Sequence, residues 1–176
     1  IKLIQLIIAT INNIVTGIVC SLDLTNEVIE DAIEKNANLI ICHIGSGASI
    51  AAIKDGKCFN TTMGLTPLDG LMMGTRCGDI DAGAIPFIME KENLDATGLS
   101  NLFNKKSGVA GLVGGSSDMR DVENAAKNGD ERAKLAQDMY FYRIKKYIGA
   151  YAAAMGGLDV VVFTAGVGEN QTSMRA

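Results

Sequence analysis

The sequence predicts an α/β fold, because short apolar segments with strand character are combined with longer segments of helical spacing. Three strands are predicted near the middle of the first half, at 38–44, 48–53 and 57–62. Lys54-Asp55-Gly56-Lys57 has the composition of a hairpin turn and joins the last two strands. The segment 158–164 is apolar almost throughout, which is typical of a strand buried on both faces.

The composition is that of a globular chain without a strongly charged surface. Its 176 residues suffice for one domain with a sizeable core, and 48% of them are hydrophobic against 20% charged. The net charge is −4 and no block of Lys and Arg occurs, so we expect no nucleic-acid partner. The four cysteines form no C-x-x-C pair and there is one histidine, so we expect no metal site, and free thiols of a reducing cytoplasm.

The first 22 residues are rich in isoleucine and could be mistaken for a membrane span. Lys2, Gln5, Asn12 and Asn13 interrupt the run, which falls short of the roughly 20 apolar residues that a span needs. The apolar positions follow helical spacing, so an amphipathic helix is predicted, with a signal-peptide core as the alternative and no membrane association. A second helix is predicted after Thr25-Asn26, over 27–36.

These features predict an atypical helical segment over 1–36 and one domain over 37–176, with no second complete domain. The remaining elements follow from spacing and from the glycine, serine and aspartate residues between them. They are a loop at 63–81, helices at 82–91 and 95–104, a loop at 111–117, a helix after an N-cap at Ser117, and a long helix at 131–155 with a broad apolar face. After the strand at 158–164 we expect a loop over 165–170 and the start of a helix at 171–175.

Three glycine-bearing loops could bring backbone N–H groups close to phosphate oxygens or a nucleotide ring. They are His43-Ile44-Gly45-Ser46-Gly47, the segment 111–118, and Gly166-Val167-Gly168-Glu169-Asn170. Each alone is more often an ordinary turn than a ligand site, but three of them in one small domain favour a nucleotide cleft. The first lies between two strands, whereas the common phosphate loops lie between a strand and a helix. His43 alone is explained as a strand-end residue.

Arg76 is the candidate catalytic residue in the loop Met63–Asp81. Its neighbours are small and flexible, so the guanidinium could point into a cleft and grip two oxygens of a transferring phosphoryl group. Pairing with Asp79 or Asp81, which would fix the loop, is an equally good interpretation of the spacing.

Four motifs in this order resemble the acetokinase family of the actin/hexokinase/Hsp70-like ATPase superfamily. They are HIGSGASIAAIKDGK, TTMGLTPLDGLMMGTRCGDID, SSDMRD and FTAGVGEN, and the resemblance extends over roughly 37–176. It implies a partial ribonuclease H-like, actin-like ATPase domain with a mixed sheet and flanking helices. It further implies that this chain is most of the second domain of a two-domain enzyme about twice as long.

The resemblance implies roles for the residues that match its motifs. His43, Ile44, Gly45, Ser46 and Gly47 are similar to the family's phosphate loop, and Arg76 is similar to its transition-state arginine. Two segments look like the parts that hold adenosine, namely Asp118, Met119 and Arg120, and Gly166, Val167, Gly168, Glu169 and Asn170. The implied reaction transfers a phosphoryl group from ATP to acetate, giving ADP and acetyl phosphate with Mg²⁺ as cofactor, in a homodimer.

Two departures from the family pattern limit these expectations. Ser46 stands where family members usually have Asn, and residues 1–22 carry no Gly-His-Thr-Ser-like stretch with an active-site histidine. We therefore expect the chain alone to have little or no kinase activity. The alternatives are a propionate or butyrate kinase relative, and a non-catalytic nucleotide-binding or dimerisation fragment.

Overall fold

The computed structural model describes residues 5–7, 17–20 and 37–175. Its six strands form one mixed sheet in the order β1-β2-β6-β3-β4-β5. The strands are β1 (Gln5–Ile7), β2 (Gly17–Cys20), β3 (Leu39–Ile44), β4 (Ala48–Lys54), β5 (Lys57–Thr61) and β6 (Val160–Thr164). The predicted strands of the central hairpins and the buried strand near the C-terminus are thus confirmed, and so is the α/β class.

Strand β6 is central because it pairs in parallel with β2 on one side and with β3 on the other. The pairs β1–β2, β3–β4 and β4–β5 are antiparallel. The apolar composition of β6 follows from this position, since Val161, Val162 and Phe163 are all buried. The alternation in β3 buries Ile40, Cys42 and Ile44 completely. The carboxyl ends of β3 and β6 therefore meet at one edge of the sheet.

The helix predicted over the first 22 residues is wrong where the structure describes that segment. Residues 5–7 and 17–20 are strands, and the second of them extends the sheet by pairing with β6. Isoleucine and valine are β-branched and favour strands. Their spacing in this segment also fits a helix, and the parallel pairing of β2 with β6 selects the strand. The rest of that prediction and the helix over 27–36 lie outside the described residues.

The chain divides into two compact units, Ile1–Thr62 with Ile144–Ala176, and Met63–Arg143. We call these the sheet unit and the helical unit. The helices are α1 (Ala84–Lys91), α2 (Ala96–Lys105), α3 (Gly108–Val113), α4 (Met119–Lys127), α5 (Glu131–Met155), α6 (Ala165–Asn170) and α7 (Thr172–Arg175). None of the helices in the described part of the chain is long and apolar enough to cross a membrane.

Several helix ends follow from local chemistry. Asp95 caps α2 by accepting a hydrogen bond from Gly98 N at 2.7 Å. Asp118, and not the predicted Ser117, is the N-cap of α4, because its carboxylate accepts from Arg120 N. The predicted loop at 111–117 is half wrong, since α3 extends to Val113 and ends at Gly114, whose φ of 76° suits glycine.

Helix α5 confirms the predicted long helix but buries a narrower face than its sequence suggests. Its fully buried positions recur at helical spacing: Ala133, Ala136, Tyr140, Ile144, Tyr151 and Met155. Leu135 and Met139 are also apolar residues of this helix, but they are 54% and 37% exposed. At its C-terminus, Lys54 Nζ donates to Met155 O at 2.8 Å, which places a cation where the helix dipole is negative.

Candidate active site

The turn between β3 and β4 is built from Gly45, Ser46 and Gly47. Gly45 N donates to Gly47 O at 3.1 Å, so the turn closes on itself within three residues. Ser46 and Gly47 are exposed, whereas the preceding Ile44 is fully buried. The predicted strand-to-strand loop is therefore confirmed, with Ile44 a core residue that anchors the turn.

His43 lies at the last exposed position of β3, opposite Thr164 at the end of the parallel strand β6. The His43 Nδ1 atom and the Thr164 Oγ1 atom are 3.0 Å apart, which is a hydrogen-bond distance. Thr164 is only 7% exposed and is also the N-cap residue of α6. The imidazole is thus tied to the sheet edge through a neighbouring strand.

The segment Gly166–Asn170 lies directly beside this turn. It was expected to be a loop, but it forms the short helix α6, which begins at Ala165 in the left-handed region with φ 66°. A Cβ placed on Gly45 would lie 3.3 Å from Ala165 Cβ, a tight contact, so the missing side chain of Gly45 eases the close approach of the turn to the start of α6. The structure thus brings both glycine-bearing segments of the sheet unit together.

Glycine and asparagine organise the rest of α6. Gly168 is buried, and a Cβ there would lie 3.6 Å from Ile44 Cβ and from Phe163 Cβ. Asn170 Nδ2 donates to Gly166 O at 2.8 Å. Val167 and Glu169 are half-buried, and Arg175 Nη1 donates to Glu169 O at 2.8 Å and to Gly168 O at 2.6 Å. These bonds fix the backbone that follows β6.

In the helical unit, Arg76 has no carboxylate partner among the residues that the structure describes. Its Nη1 atom lies 3.4 Å from Met73 Sδ, a weak contact for a guanidinium. Asp79 instead pairs with Arg143 at 3.4 Å, and Asp81 accepts from Gly83 N at 2.9 Å. Within this unit, the interpretation of Arg76 as a loop-fixing ion pair is therefore wrong, because neither Asp79 nor Asp81 forms an ion pair with it.

Asp118 and Arg120 pair with each other at the start of α4. Arg120 Nη2 lies 2.6 Å from Asp118 Oδ2, and Arg120 Nε also donates to the carboxylate. The hydrogen bonds from the Arg120 side chain and backbone N–H lower the pKa of Asp118 to about 2. Met119 between them is 6% exposed and packs into the core. Of the three residues, only the charged two present polar groups to solvent.

Gly74 connects this segment with the arginine loop. A Cβ placed on Gly74 would lie 3.1 Å from Ser117 Cβ, tighter than an ordinary contact, so the residues before α4 pack against the loop that carries Arg76. The site residues therefore form two groups, one in each unit. His43–Gly47 and Gly166–Asn170 meet in the sheet unit, and Arg76 and the Asp118 segment are neighbours in the helical unit. Thr164 was not among the residues predicted from the sequence, although its place at the end of an apolar strand could have indicated it.

The fold is that of solved acetate and propionate kinases. An acetate kinase from Porphyromonas gingivalis superposes with a TM-score of 0.80 and 59% identity, covering 84% of this chain and 39% of that one. A propionate kinase from Francisella tularensis gives a TM-score of 0.78 and 43% identity, with 84% and 39% covered. At these identities the likeness extends to the sequence as well as to the fold.

The sequence relationship agrees with the structural one. The model of the Acetokinase family matches residues 20–176. The acetate kinase of Bacteroides fragilis is 72% identical over 138 residues, which are 78% of this chain and 35% of that enzyme. The chain therefore belongs to the acetokinase family, as its motifs indicated, and it spans about a third of the length of this relative.

Proposed function

We propose that the protein of which this chain is a part transfers a phosphoryl group reversibly from ATP to acetate, giving ADP and acetyl phosphate. Family membership and the 72% identity to an acetate kinase support the reaction class. The observation that carries the proposal is the pairing pattern around Arg76. Its two nearby carboxylates are held by Arg143 and by Gly83 N, which leaves the guanidinium available for an anionic substrate.

Arg76 would stabilise the transferring group. A planar guanidinium offers several N–H donors to the equatorial oxygens, where charge develops in the transition state. The acceptor carboxylate is already ionised at neutral pH, so the reaction needs positioning and charge neutralisation more than an acid or a base.

The hairpin turn would hold the phosphates of the nucleotide. His43, Gly45, Ser46 and Gly47 lie at or beside an exposed turn whose backbone conformation is closed by its own hydrogen bond. Such a turn can present N–H groups to anionic oxygens without first having to be ordered. Ile44 would support the turn from the core.

The two remaining segments, one in each unit, are assigned to the adenosine moiety by their motifs. Asp118 and Arg120 supply charged groups at one of them, while Gly166 and Asn170 supply exposed backbone and amide groups at the other. The same segments contain four further residues of these motifs: Met119, Val167, Gly168 and Glu169. Met119 and Gly168 are buried and would support their segments from the core.

Magnesium enters the proposal only as the ion that ATP brings with it. In 5–7, 17–20 and 37–175, no group of three His, Cys, Asp or Glu side chains is placed to hold a metal. Mg²⁺ is commonly bound through phosphates and few protein carboxylates. We therefore assign no residue of this chain to it and derive no step through it.

The assembly and location are further parts of the proposal. Leu135, Met139 and Tyr142 are exposed along one stretch of α5, and an apolar stripe of this kind would suit contact with a second copy in a homodimer. A cytoplasmic location agrees with free thiols, since Cys42, Cys58 and Cys77 form no disulfides.

The test compares this chain with an intact enzyme. A chimera is made in which the matching segment of the Bacteroides fragilis acetate kinase is replaced by the corresponding part of this chain. We expect the chimera to form acetyl phosphate from ATP and acetate, and the 176-residue chain alone to show little or no turnover. If Arg76→Ala leaves both the nucleotide affinity and the turnover of the chimera unchanged, the proposed role of Arg76 is refuted. If the isolated chain turns over at a rate near that of the chimera, the expected inactivity of the chain is refuted.

A second candidate substrate is propionate, which the solved propionate kinase at 43% identity favours. Rates of the chimera cannot separate these substrates if the acyl pocket lies outside the chain. The intact protein should therefore be compared with acetate, propionate and butyrate. The proposal for acetate fails if kcat/KM is highest for a longer acid. Light scattering and ATP calorimetry on the 176-residue chain address the remaining alternative, a non-catalytic binding or dimerisation fragment.

A further inference from the structure

The loop that carries Arg76 is held by backbone hydrogen bonds to the last turn of α2 and to the connection between α2 and α3. Cys77 N donates to Phe103 O at 3.0 Å, and Ser107 N donates to Thr75 O at 3.0 Å. Arg76 O itself accepts from Met73 N at 3.1 Å, which closes a tight turn around the arginine. The residues before and after Arg76 are thus each bonded to backbone at the end of α2 or just after it.

The first turn of α3 continues this contact. Val109 N donates to Met73 O at 3.0 Å and Ala110 N donates to Gly74 O at 2.8 Å. The Thr75 hydroxyl adds a bond to Asn104 O at 2.9 Å. Between Ser107 and Val109, both of which are bonded to the arginine loop, stands Gly108.

Gly108 has no room for a side chain. It is buried and has φ 61°, a conformation that favours glycine. A Cβ there would lie 2.8 Å from Arg76 O and 2.9 Å from Arg76 N, and it would overlap Met73 O. All three atoms belong to backbone, which cannot swing aside as the end of a side chain does. A methyl group at Gly108 therefore forces a shift in the turn Met73–Arg76 or in the backbone of Gly108 itself, and either shift changes the position of Arg76 relative to α3.

We propose that Gly108 is a positioning residue for Arg76, because its missing side chain sets the backbone position from which the guanidinium reaches the transferring phosphoryl group. The inference rests on the proposed function of Arg76. Misplacing a catalytic group by about 1 Å can lower a rate on the order of 100-fold, while substrate binding by other groups is affected less. Gly108 would thus act on kcat although its own atoms need not touch the substrate.

The chain contains a matched control. Gly129 also has a positive φ, 92°, but a Cβ there would meet nothing within 4 Å. Gly129→Ala introduces the same kind of backbone strain in the same unit without pushing on Arg76. Thr75→Val is a milder second variant, since it removes the hydroxyl bond to Asn104 O and leaves Gly108 in place.

In the chimera described above, we expect Gly108→Ala to lower kcat at least about 10-fold and to change KM for ATP and acetate less than about 3-fold. Gly129→Ala should leave both constants within about 2-fold, and Thr75→Val should lower kcat about 2- to 5-fold. A kcat for Gly108→Ala within 2-fold of the parent overturns the proposal. If Gly108→Ala does not fold, the milder variant tests the premise that packing of the arginine loop against α2 and α3 sets the position of Arg76, and an unchanged kcat in Thr75→Val overturns that premise and the proposal with it.

A spectroscopic readout on the 176-residue chain decides the same point without turnover. The ¹H–¹⁵N signal of Arg76 Nε, assigned with Arg76→Lys, should move in Gly108→Ala and stay in place in Gly129→Ala. Equal positions in both variants overturn the inference. Loss of activity in Gly108→Ala together with full activity in Arg76→Ala would instead refute the proposed function of Arg76, so the two failures are distinguishable.

Discussion

Asp79 closes the base of the loop that carries Arg76, and its replacement gives a sharp test of what holds that loop. Its Oδ1 atom accepts from the buried Gly70 N at 2.9 Å, and its backbone N donates to Gly70 O at 2.9 Å. Its Oδ2 atom lies 3.4 Å from Arg143 Nη1. Asp79→Ala removes these two side-chain interactions and retains the backbone ones, which include the bond from Arg143 Nη2 to Asp79 O at 3.3 Å.

The two lost interactions differ in size. A buried N–H without an acceptor costs about 1–3 kcal/mol, so the Gly70 bond dominates. The ion pair contributes about 0.2–1 kcal/mol, because the distance of 3.4 Å is long and the side chains of Arg143 and Asp79 are 25% and 31% exposed. Asp79→Ala should therefore lower the free energy of unfolding by about 2 kcal/mol. Asp79→Asn should lower it by about 1 kcal/mol or less, because asparagine can still accept from Gly70 N. Arg143→Met should also lower it by about 1 kcal/mol or less, because it leaves the bond between Asp79 and Gly70 N in place.

Urea denaturation followed by circular dichroism measures these differences. With a slope of about 2 kcal/mol per molar urea, Asp79→Ala should shift the midpoint by about 1 M. Asp138→Ala, which removes an exposed carboxylate on α5, is the control and should shift it little. If Asp79→Asn proves as damaging as Asp79→Ala, charge pairing rather than the bond to Gly70 N holds the loop, and the reasoning is refuted.

Three further predictions concern other polar and thiol groups. Lys54→Met removes the charged donor at the C-terminal carbonyl of α5 and should lower the free energy of unfolding by about 1–2 kcal/mol in the same denaturation assay; no change would contradict it. The pKa of the Asp118 carboxyl, measured by NMR titration, should be about 2, and in Arg120→Met it should be nearer its usual value. Because this pKa is lowered on folding, any stability that the carboxylate contributes is present above its usual pKa and is lost as the pH falls towards 2. Burial raises the pKa of the Cys42 thiol, so iodoacetamide followed by peptide mass spectrometry should label the exposed Cys58 in the native chain and Cys42 only after unfolding.

The sequence could predict elements whose signal is local. The strands β3, β4 and β5 follow from alternation and a hairpin turn, and the long helix α5 follows from spacing between two glycine-bearing breaks. The segment at 17–20 could not be predicted in this way. Its isoleucine and valine fit both a helix and a strand, and its parallel pairing with β6 at the other end of the chain decided the outcome.

The candidate site shows the same division between local and distant information. Glycines and an arginine in recognisable motifs identify the loops, because such residues are needed wherever backbone or guanidinium meets phosphate. The contacts that hold these loops are not local. His43 and Thr164 lie on the neighbouring strands β3 and β6, which are far apart in the sequence. The loop that carries Arg76 contacts Gly108, which lies about 30 residues later at the start of α3. Only the folded chain brings these residues together.

The role of Arg76 depends on a competition that the sequence alone left undecided. Two acidic residues follow it closely, and either could neutralise it and leave a structural ion pair. The structure resolves the competition through Arg143, which lies on α5 and takes Asp79 as its partner. Because Asp79 is also bound to Gly70 N, its carboxylate is committed to closing the loop. Arg143 thus holds the base of the loop, whereas Arg76 has no carboxylate partner among the described residues, which is the basis on which we propose it for the transferring phosphoryl group.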